Sequence, residues 1–174
     1  MKQYSLNIFL ALILFMVGLV VVDLAPANAQ SRGDMESLAK QAIMVWNTGN
    51  TAIANQLYSP DIVVHLVDQD NSELQSTVAL MDYLKFIRTA YPDMKFEPDH
   101  MSIDGNTVTT RMTFTGTNAG PRGDLPPTNK TVKVSAVLIS KITDGEISEE
   151  WLYINMASVF KQLGFTLTPP SEEK

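Results

Sequence analysis

Four long strand-like segments follow one another in the second half of the chain, and their connections constrain the fold more than any other feature. Two of the three connections are tight-turn signals, because Asp104-Gly105-Asn106 and Asp144-Gly145 allow the positive φ that a short hairpin turn requires. Consecutive strands joined by hairpins pair antiparallel, so this half of the chain predicts an antiparallel sheet. The predicted strands are residues 94–103, 107–117, 131–142 and 146–155.

Helical periodicity dominates the segment before these strands. Apolar residues recur at helical spacing from Met35 to Trp46 behind Asp34, which we predict as the N-cap. The last helix of this segment should stop at Tyr91-Pro92, because proline disfavours a helical residue before it. Helices collected ahead of an antiparallel sheet predict an α+β domain in which they cover one face of the sheet. The further predicted elements are helices over 51–58 and 78–90 and a β-branched strand over 62–67.

The stretch from Asp144 to Gly164 combines a strand with a short amphipathic helix. Side chains of a strand alternate between its two faces. One face carries two large aromatic residues and two polar ones, namely Glu149, Trp151, Tyr153 and Asn155. The opposite face carries Glu150, Leu152 and Ile154. The polar and aromatic face is typical of a pocket wall, although a strand tryptophan more often serves packing. Gly164 is the residue type that most readily ends a helix.

The same stretch contains the pattern DG-x-I-x-E-x-W, a polar residue four positions after the tryptophan, and Gln-Leu-Gly at 162–164. These features resemble the C-terminal signature of the SnoaL-like polyketide cyclase (ester cyclase) family, part of the nuclear-transport-factor-2-like superfamily. Further motifs in family-like order and spacing extend the resemblance over most of the chain after Leu57. They are Tyr91-Pro92-Asp93, Gly105-Asn106-x-Val108, Arg111, Gly116-Thr117, and Pro126-Pro127-Thr128 with Lys130.

The resemblance implies both a fold and a chemistry. The implied fold is α+β, a cone-shaped curved antiparallel β-sheet with N-terminal helices packed over its concave face. Members of the family close a ring by an aldol-type reaction without a metal or organic cofactor, and an aspartate removes the acidic proton. The family places this aspartate four residues after the signature tryptophan, where this chain has Asn155. An amide cannot act as that base, so Asn155 would orient a carbonyl or enolate through its NH2 group.

Three other residues are candidates for the missing base. His65 lies in an apolar strand, where the family commonly carries a histidine, and imidazole exchanges protons near neutral pH. From the residues alone, a hydrogen-bonded structural histidine is an equal alternative. Glu149 and Asp68 are weaker candidates, since Glu149 is expected to be solvent-exposed near the start of its strand and Asp68 lies at the end of another.

His100 and Arg111 are candidates for substrate binding, together with Trp151 and Tyr153. Arg111 would stabilise an anionic group, although pairing with a glutamate on the outer face of the sheet is the more common role for such a residue. The sequence has two histidines, far apart and without the close spacing of metal-binding histidines, so no metal site is predicted. No cofactor motif occurs, and we predict no cofactor.

The N-terminal residues have the features of a secretory signal. Lys2 precedes a nearly uninterrupted apolar run, and Ala27-Asn28-Ala29 has the small-x-small pattern of a cleavage site. We therefore predict a signal peptide over 1–29 and a secreted or periplasmic protein, with an uncleaved N-terminal membrane anchor as the alternative. The remaining predicted regions are a linker over 30–33, a SnoaL-like α+β barrel domain over 34–167 and a polar tail over 168–174.

Charge and composition limit the partners. The chain has 19 Asp and Glu against 13 Lys and Arg, and no basic run. Nucleic acid as a partner is disfavoured, because binding requires clustered basic residues. No stable membrane insertion is expected after signal cleavage. An open sheet with one uncovered face often dimerises through it, so we expect a homodimer with Val137 and Ile139 at the interface.

Two hypotheses of different kinds follow. The first is an exported SnoaL-like enzyme that acts on a small, largely apolar carbonyl or polycyclic compound by aldol-type cyclisation, isomerisation or hydration. The second is a non-catalytic module that holds a small hydrophobic molecule or presents its sheet to a partner. The fold alone does not distinguish them, because cone-shaped folds host unrelated functions.

Overall fold

The computed structural model describes residues 31–67 and 72–166 as four helices and six strands. The helices are α1 Arg32–Thr48, α2 Thr51–Leu57, α3 Thr77–Ala90 and α4 Met156–Leu163. The strands are β1 Tyr58–Leu66, β2 Ser72–Gln75, β3 Lys95–Asp104, β4 Thr107–Thr117, β5 Thr131–Thr143 and β6 Glu146–Ile154. All six strands form one sheet in the order β2-β1-β6-β5-β4-β3.

Three predictions fall outside the described residues: the signal peptide of residues 1–29, the candidate base Asp68, and the tail of residues 168–174. They stay predictions. Of the helices within residues 31–67 and 72–166, none has the length and apolar character needed to cross a lipid bilayer.

The predicted α+β architecture is confirmed, with a curved sheet that remains open at its β2 and β3 edges. Strands β3 to β6 pair antiparallel as predicted, and the one parallel pair among the described strands is β1 with β6. A hairpin turn fixes the pairing only of strands that follow each other in sequence, and β1 and β6 are separated by α3 and four other strands. The short strand β2, antiparallel to β1, is an element that the sequence pattern did not indicate.

The first helix begins earlier than predicted. Ser31 is its N-cap and accepts a hydrogen bond from the Asp34 N–H at 3.2 Å, while the Asp34 carboxylate accepts from the Ser31 N–H at 3.2 Å. This reciprocal pair is a capping box, so Asp34 completes the cap from the first turn instead of being the N-cap itself. The predicted linker over 30–33 therefore overlaps the helix. At the other end, Gly49 adopts a φ of 66° and closes the helix.

Burial divides the sheet into an inner face, which the helices cover, and a partly exposed outer face. The predicted alternation of β6 is confirmed, because Glu150, Leu152 and Ile154 are buried while Trp151 and Tyr153 are not. The core therefore lies on the Glu150 face. The buried residues of the neighbouring strands are Val108, Thr110, Met112 and Phe114 of β4 and Val132, Val134, Ala136, Leu138, Ser140 and Ile142 of β5.

The loop of residues 118–130 connects β4 to β5 and is ordered by one buried side chain. Asn118 is 3% exposed, and its Oδ1 accepts hydrogen bonds from the N–H and the hydroxyl of Thr128 at 2.9 and 3.0 Å. Its Nδ2 donates to the Gly120 carbonyl at 2.9 Å. Asn118 thus joins the two ends of the loop, which gives the long connection a fixed shape.

Candidate functional site

His65 and Trp151 lie side by side on the outer face of the sheet. They are register partners across the parallel pair, and their rings stack with centroids 5.2 Å apart and planes 9° apart. Both ring nitrogens of His65 contact carboxylates: Nδ1 lies 3.2 Å from Glu73 Oε1, and Nε2 lies 3.0 Å from Glu149 Oε1. His65 therefore links β2 to β6 through one carboxylate on each strand.

Glu149 is the anionic partner in this cluster. Its Oε1 accepts from His65, and its Oε2 accepts from Lys141 Nζ at 3.3 Å. The hydrogen bond from His65, with a smaller contribution from Lys141, holds the pKa of Glu149 below its ordinary value. A carboxylate with a lowered pKa is a weaker base, so this arrangement disfavours the base role that the sequence suggested for Glu149.

The cluster around His65 is a network of polar contacts across the outer face of the sheet. Its two carboxylates contact opposite nitrogens of the ring, so the three side chains do not converge on one point. Within residues 31–67 and 72–166, groups of three or more His, Cys, Asp or Glu side chains suited to hold a metal ion do not occur.

The remaining outer-face candidates lie in a row that crosses four neighbouring strands, β3 to β6. His100 pairs with Arg111, Arg111 pairs with Val137, and Val137 pairs with Tyr153. His100 and Arg111 are exposed, and Tyr153 is 39% exposed. The row therefore lies on open surface.

Asn155 lies at the end of β6, where it is the N-cap of α4. Its Oδ1 accepts a hydrogen bond from the Ser158 N–H at 2.9 Å. Asparagine and aspartate are both favoured at N-caps, so this position keeps its structural role with either residue. The side chain is exposed, and with Tyr153 and Ser135 it borders a shallow surface depression.

A separate cavity lies on the inner face, between the helices and the sheet. Its volume is about 40 Å³, which is room for a few water molecules. None of His65, His100, Arg111, Trp151, Tyr153 and Asn155 lines it. The lining includes the aromatic residues Trp46, Tyr83, Tyr91, Phe96 and Phe114, the apolar residues Met94, Leu152 and Met156, and one charged residue, Arg122.

Tyr91 provides an unpaired polar group in this lining. It follows the last residue of α3, is 3% exposed, and packs edge-on against Phe114 with 5.8 Å between ring centroids. Its hydroxyl is buried and has no hydrogen-bonding partner within the described part of the chain. Burial raises the pKa of Tyr91, and the positive charge of Arg122 opposes this effect. The hydroxyl therefore stays protonated at neutral pH, where it can donate a hydrogen bond.

Glu150 is a fully buried carboxyl group behind the cavity. Its Oε2 accepts from Trp46 Nε1 at 3.1 Å and from the Tyr58 hydroxyl at 3.4 Å, and its Oε1 accepts from the Ser140 hydroxyl at 2.8 Å. Removal from water raises the pKa of Glu150 to about 7, against the opposing effect of these hydrogen bonds, of which the one from Ser140 is the strongest. The network reaches the cavity through the Trp46 indole, because Trp46 is part of the lining.

The sequence interpretation missed Tyr91, Arg122 and Glu150 as functional candidates. In the sequence, Tyr91 indicated only a helix stop and part of a family-like motif, and Arg122 belonged to no motif. For Glu150 a signal was available, since it shares a strand face with Leu152 and Ile154. A carboxylate in an otherwise apolar row is rarely buried without hydrogen-bonding partners, so its position predicts buried hydrogen-bond donors nearby.

Comparison with solved structures gives the same fold. AclR, a candidate hydroxylase from Streptomyces galilaeus, is 25% identical, with a TM-score of 0.67 over 81% of this chain and 87% of that one. A candidate polyketide cyclase from Bacillus cereus ATCC 10987 is 25% identical, with a TM-score of 0.62 over 75% and 80% of the two chains. A SnoaL-like protein from Jannaschia sp. CCS1 is 15% identical, with a TM-score of 0.70 over 81% and 99%.

Two sequence comparisons gave different results. A search of curated protein sequences gave no match, whereas a comparison with protein-family models did. The sequence model described as SnoaL-like polyketide cyclase matches residues 36–163, which is most of the chain. The match and the structural neighbours support a fold of the type used by cofactor-free cyclases and isomerases. On this basis the chain belongs to the SnoaL-like polyketide cyclase family.

Proposed function

We propose that the protein binds a small, largely apolar carbonyl compound in the inner cavity. The observation that carries the proposal is the buried Tyr91 hydroxyl, which has no partner among residues 31–67 and 72–166 and belongs to a largely apolar lining. A buried polar group without a hydrogen bond costs about 1–3 kcal/mol. A carbonyl oxygen would accept this hydrogen bond while the rest of the ligand contacts the aromatic lining.

The size of the cavity sets a condition on binding. A volume of about 40 Å³ is too small for an aromatic ketone, so lining side chains have to move when it enters. Met94 and Met156 are suited to this movement, because methionine is unbranched and adapts its shape at low cost. Binding therefore combines a fixed donor, Tyr91, with an adaptable wall.

Cofactor-free acid–base chemistry on the bound compound is the second candidate function, and Glu150 is the observation that favours it. A pKa of about 7 is close to that of an effective general base at neutral pH. Glu150 lies behind Trp46, so direct contact with a ligand requires the indole to move. Turnover of any substrate that is found should then be lost in Glu150→Gln, while a binding protein would keep its ligand affinity in that variant.

Acetophenone is a suitable probe for the binding proposal, because it is a small aromatic ketone. Its dissociation constant should be measured by NMR titration for the wild type, Tyr91→Phe and Tyr153→Phe. Both substitutions remove one hydroxyl group, but Tyr91 lines the inner cavity and Tyr153 lies on the outer face. The two variants therefore compare the two faces of the sheet with matched chemistry.

The expected result is a weakening by about 3- to 10-fold in Tyr91→Phe, the value of one hydrogen bond, and no change in Tyr153→Phe. The free Tyr91→Phe protein should be at least as stable as the wild type, because the hydroxyl that it lacks has no partner within the described residues. Weaker acetophenone binding in Tyr153→Phe but not in Tyr91→Phe would indicate a binding site on the outer face instead. No binding to the wild type would refute the proposal.

We also propose that the protein forms a homodimer through its outer sheet face. Support comes from the partly exposed Val137, Ile139 and Trp151, which form an apolar centre on the outer face of the sheet. Sedimentation equilibrium at micromolar concentration should give the mass of a dimer for the wild type and of a monomer for Ile139→Glu. A monomeric wild type would contradict this proposal.

Export is the last part of the proposed function, and it rests on the sequence alone. Protein expressed with residues 1–29 should be recovered from the exported fraction, and its N-terminal sequence should then begin near Gln30. Retention of residues 1–29 on membrane-bound protein would support the anchor alternative.

A further inference from the structure

We propose that the inner cavity recognises a carboxylate on an otherwise apolar molecule, with Arg122 and the Tyr91 hydroxyl as the two groups that bind it. This inference rests on the proposed function, because it assigns the chemical class of the ligand in the same cavity. Arg122 is the one charged side chain among the lining residues, and it is partly buried. A single cation in an aromatic lining favours a ligand with a single anionic group.

The backbone around Arg122 is held by a small hairpin. The Arg122 N–H donates to the Leu125 carbonyl at 3.0 Å, and the Leu125 N–H donates to the Arg122 carbonyl at 3.2 Å. Gly123 adopts a φ of 60° in this turn, a conformation that side chains disfavour. The guanidinium therefore extends from a defined point of the backbone.

The loop that carries this hairpin is joined to the end of α3, next to Tyr91. The Ala119 and Gly120 N–H groups both donate to the Ala90 carbonyl, at 3.0 and 3.3 Å. Gly120 packs so closely on the Thr89 carbonyl oxygen that a Cβ at this position would clash with it. The same helix end therefore positions the Tyr91 hydroxyl and the loop with Arg122.

The chemistry of the two groups fits a carboxylate. A guanidinium is always charged at physiological pH and can donate two parallel hydrogen bonds to the two oxygens of a carboxylate. The protonated Tyr91 hydroxyl adds a third donor. A phosphate dianion needs more positive charge than one arginine provides, in a protein with a net charge of −6.

The test compares two probes of similar shape, benzoate and acetophenone, which differ mainly in a carboxylate oxygen in place of a methyl group. Dissociation constants are measured by NMR titration for the wild type, Arg122→Gln and Arg111→Gln. Arg111 is the matched control, because it is an arginine on the exposed outer face. Far-UV circular dichroism checks that each variant is folded.

We expect Arg122→Gln to weaken benzoate binding about tenfold and to change acetophenone binding less than about twofold, since only the carboxylate uses the charge. Arg111→Gln should leave both constants unchanged, and Arg122→Lys should retain part of the benzoate affinity. If acetophenone binds but benzoate affinity is the same in the wild type and Arg122→Gln, the carboxylate inference is refuted and the proposed function stands. If neither probe binds the wild type, both are refuted.

Discussion

The buried carboxyl of Glu150 makes stability depend on pH in an unusual direction. Most carboxyl groups of folded proteins have lowered pKa values, as Asp93 does here through its hydrogen bonds to Thr117, and they stabilise the fold above the unfolded pKa. Glu150 has the opposite shift, because it is fully buried. The native state therefore keeps a proton that the unfolded chain releases. Its contribution is fully present below the unfolded pKa and is lost as the pH rises through the folded pKa.

The size of the effect follows from the two pKa values. The pKa of Glu150 is about 7 in the fold and 4.5 without burial. At about 1.4 kcal/mol per pKa unit, this difference corresponds to about 3 kcal/mol of unfolding free energy, most of which is lost between pH 5 and pH 8. Glutamine has nearly the same shape as glutamate and no charge, so Glu150→Gln should lose this pH dependence. Between pH 5 and pH 8 the unfolding free energy of the wild type should therefore fall relative to that of Glu150→Gln.

Urea unfolding followed by far-UV circular dichroism at several pH values from 5 to 8 measures the difference. We expect the unfolding free energy of the wild type to fall by about 2–3 kcal/mol from pH 5 to pH 8, relative to that of Glu150→Gln. Glu97→Gln is the control, because Glu97 is exposed and its pKa is lowered by Lys95, so it titrates below this range. Parallel pH profiles for the wild type and Glu150→Gln would refute the argument that the buried carboxyl takes up a proton near neutral pH.

Three further substitutions test separate parts of the structure. Asn155→Ala should destabilise the protein by about 1 kcal/mol in urea unfolding through loss of the α4 cap, whereas Asn155→Asp should keep its stability; equal losses would contradict the cap role. Gly120→Ala should destabilise the protein by about 1–3 kcal/mol, because the loop has to leave the Thr89 carbonyl, and unchanged stability would show that the close packing is not required. His65→Ala should change the acetophenone dissociation constant less than about twofold, since His65 is not part of the cavity lining. A larger loss of affinity would indicate that His65 contributes to ligand binding.

Local signals in the sequence were sufficient for most of the fold. The Asp-Gly turns and the alternation of β6 depend on neighbouring residues, and both agree with the structure. The helix stops at Tyr91-Pro92 and Gly164 are likewise local, and α3 and α4 end where they predict. The parallel pairing of β1 with β6 depends on contacts between distant segments, and no local pattern indicated it.

The candidate site could be predicted only in part, for the same physical reason. His65 and Trp151 were both candidates from the sequence, and the structure places them on neighbouring strands with stacked rings. The sequence pattern indicated the Trp151 face as the pocket wall, whereas the inner cavity lies on the opposite face, with Leu152 and Ile154. The donors that make burial of Glu150 possible include Trp46 and Tyr58, which are 104 and 92 residues away in sequence. These donors approach Glu150 only when the helices pack on the sheet, so no local sequence pattern indicates them.

We propose that ligands bind on the inner face of the sheet, and the location of bound acetophenone tests this proposal most directly. Protein labelled with ¹³C at the methionine methyl groups allows nuclear Overhauser effects from the ligand to be assigned. We predict contacts to Met94 and Met156, which line the cavity, and none to Met44, which is 47% exposed on α1. Contacts that are absent at Met94 and Met156 under saturating acetophenone would contradict the account.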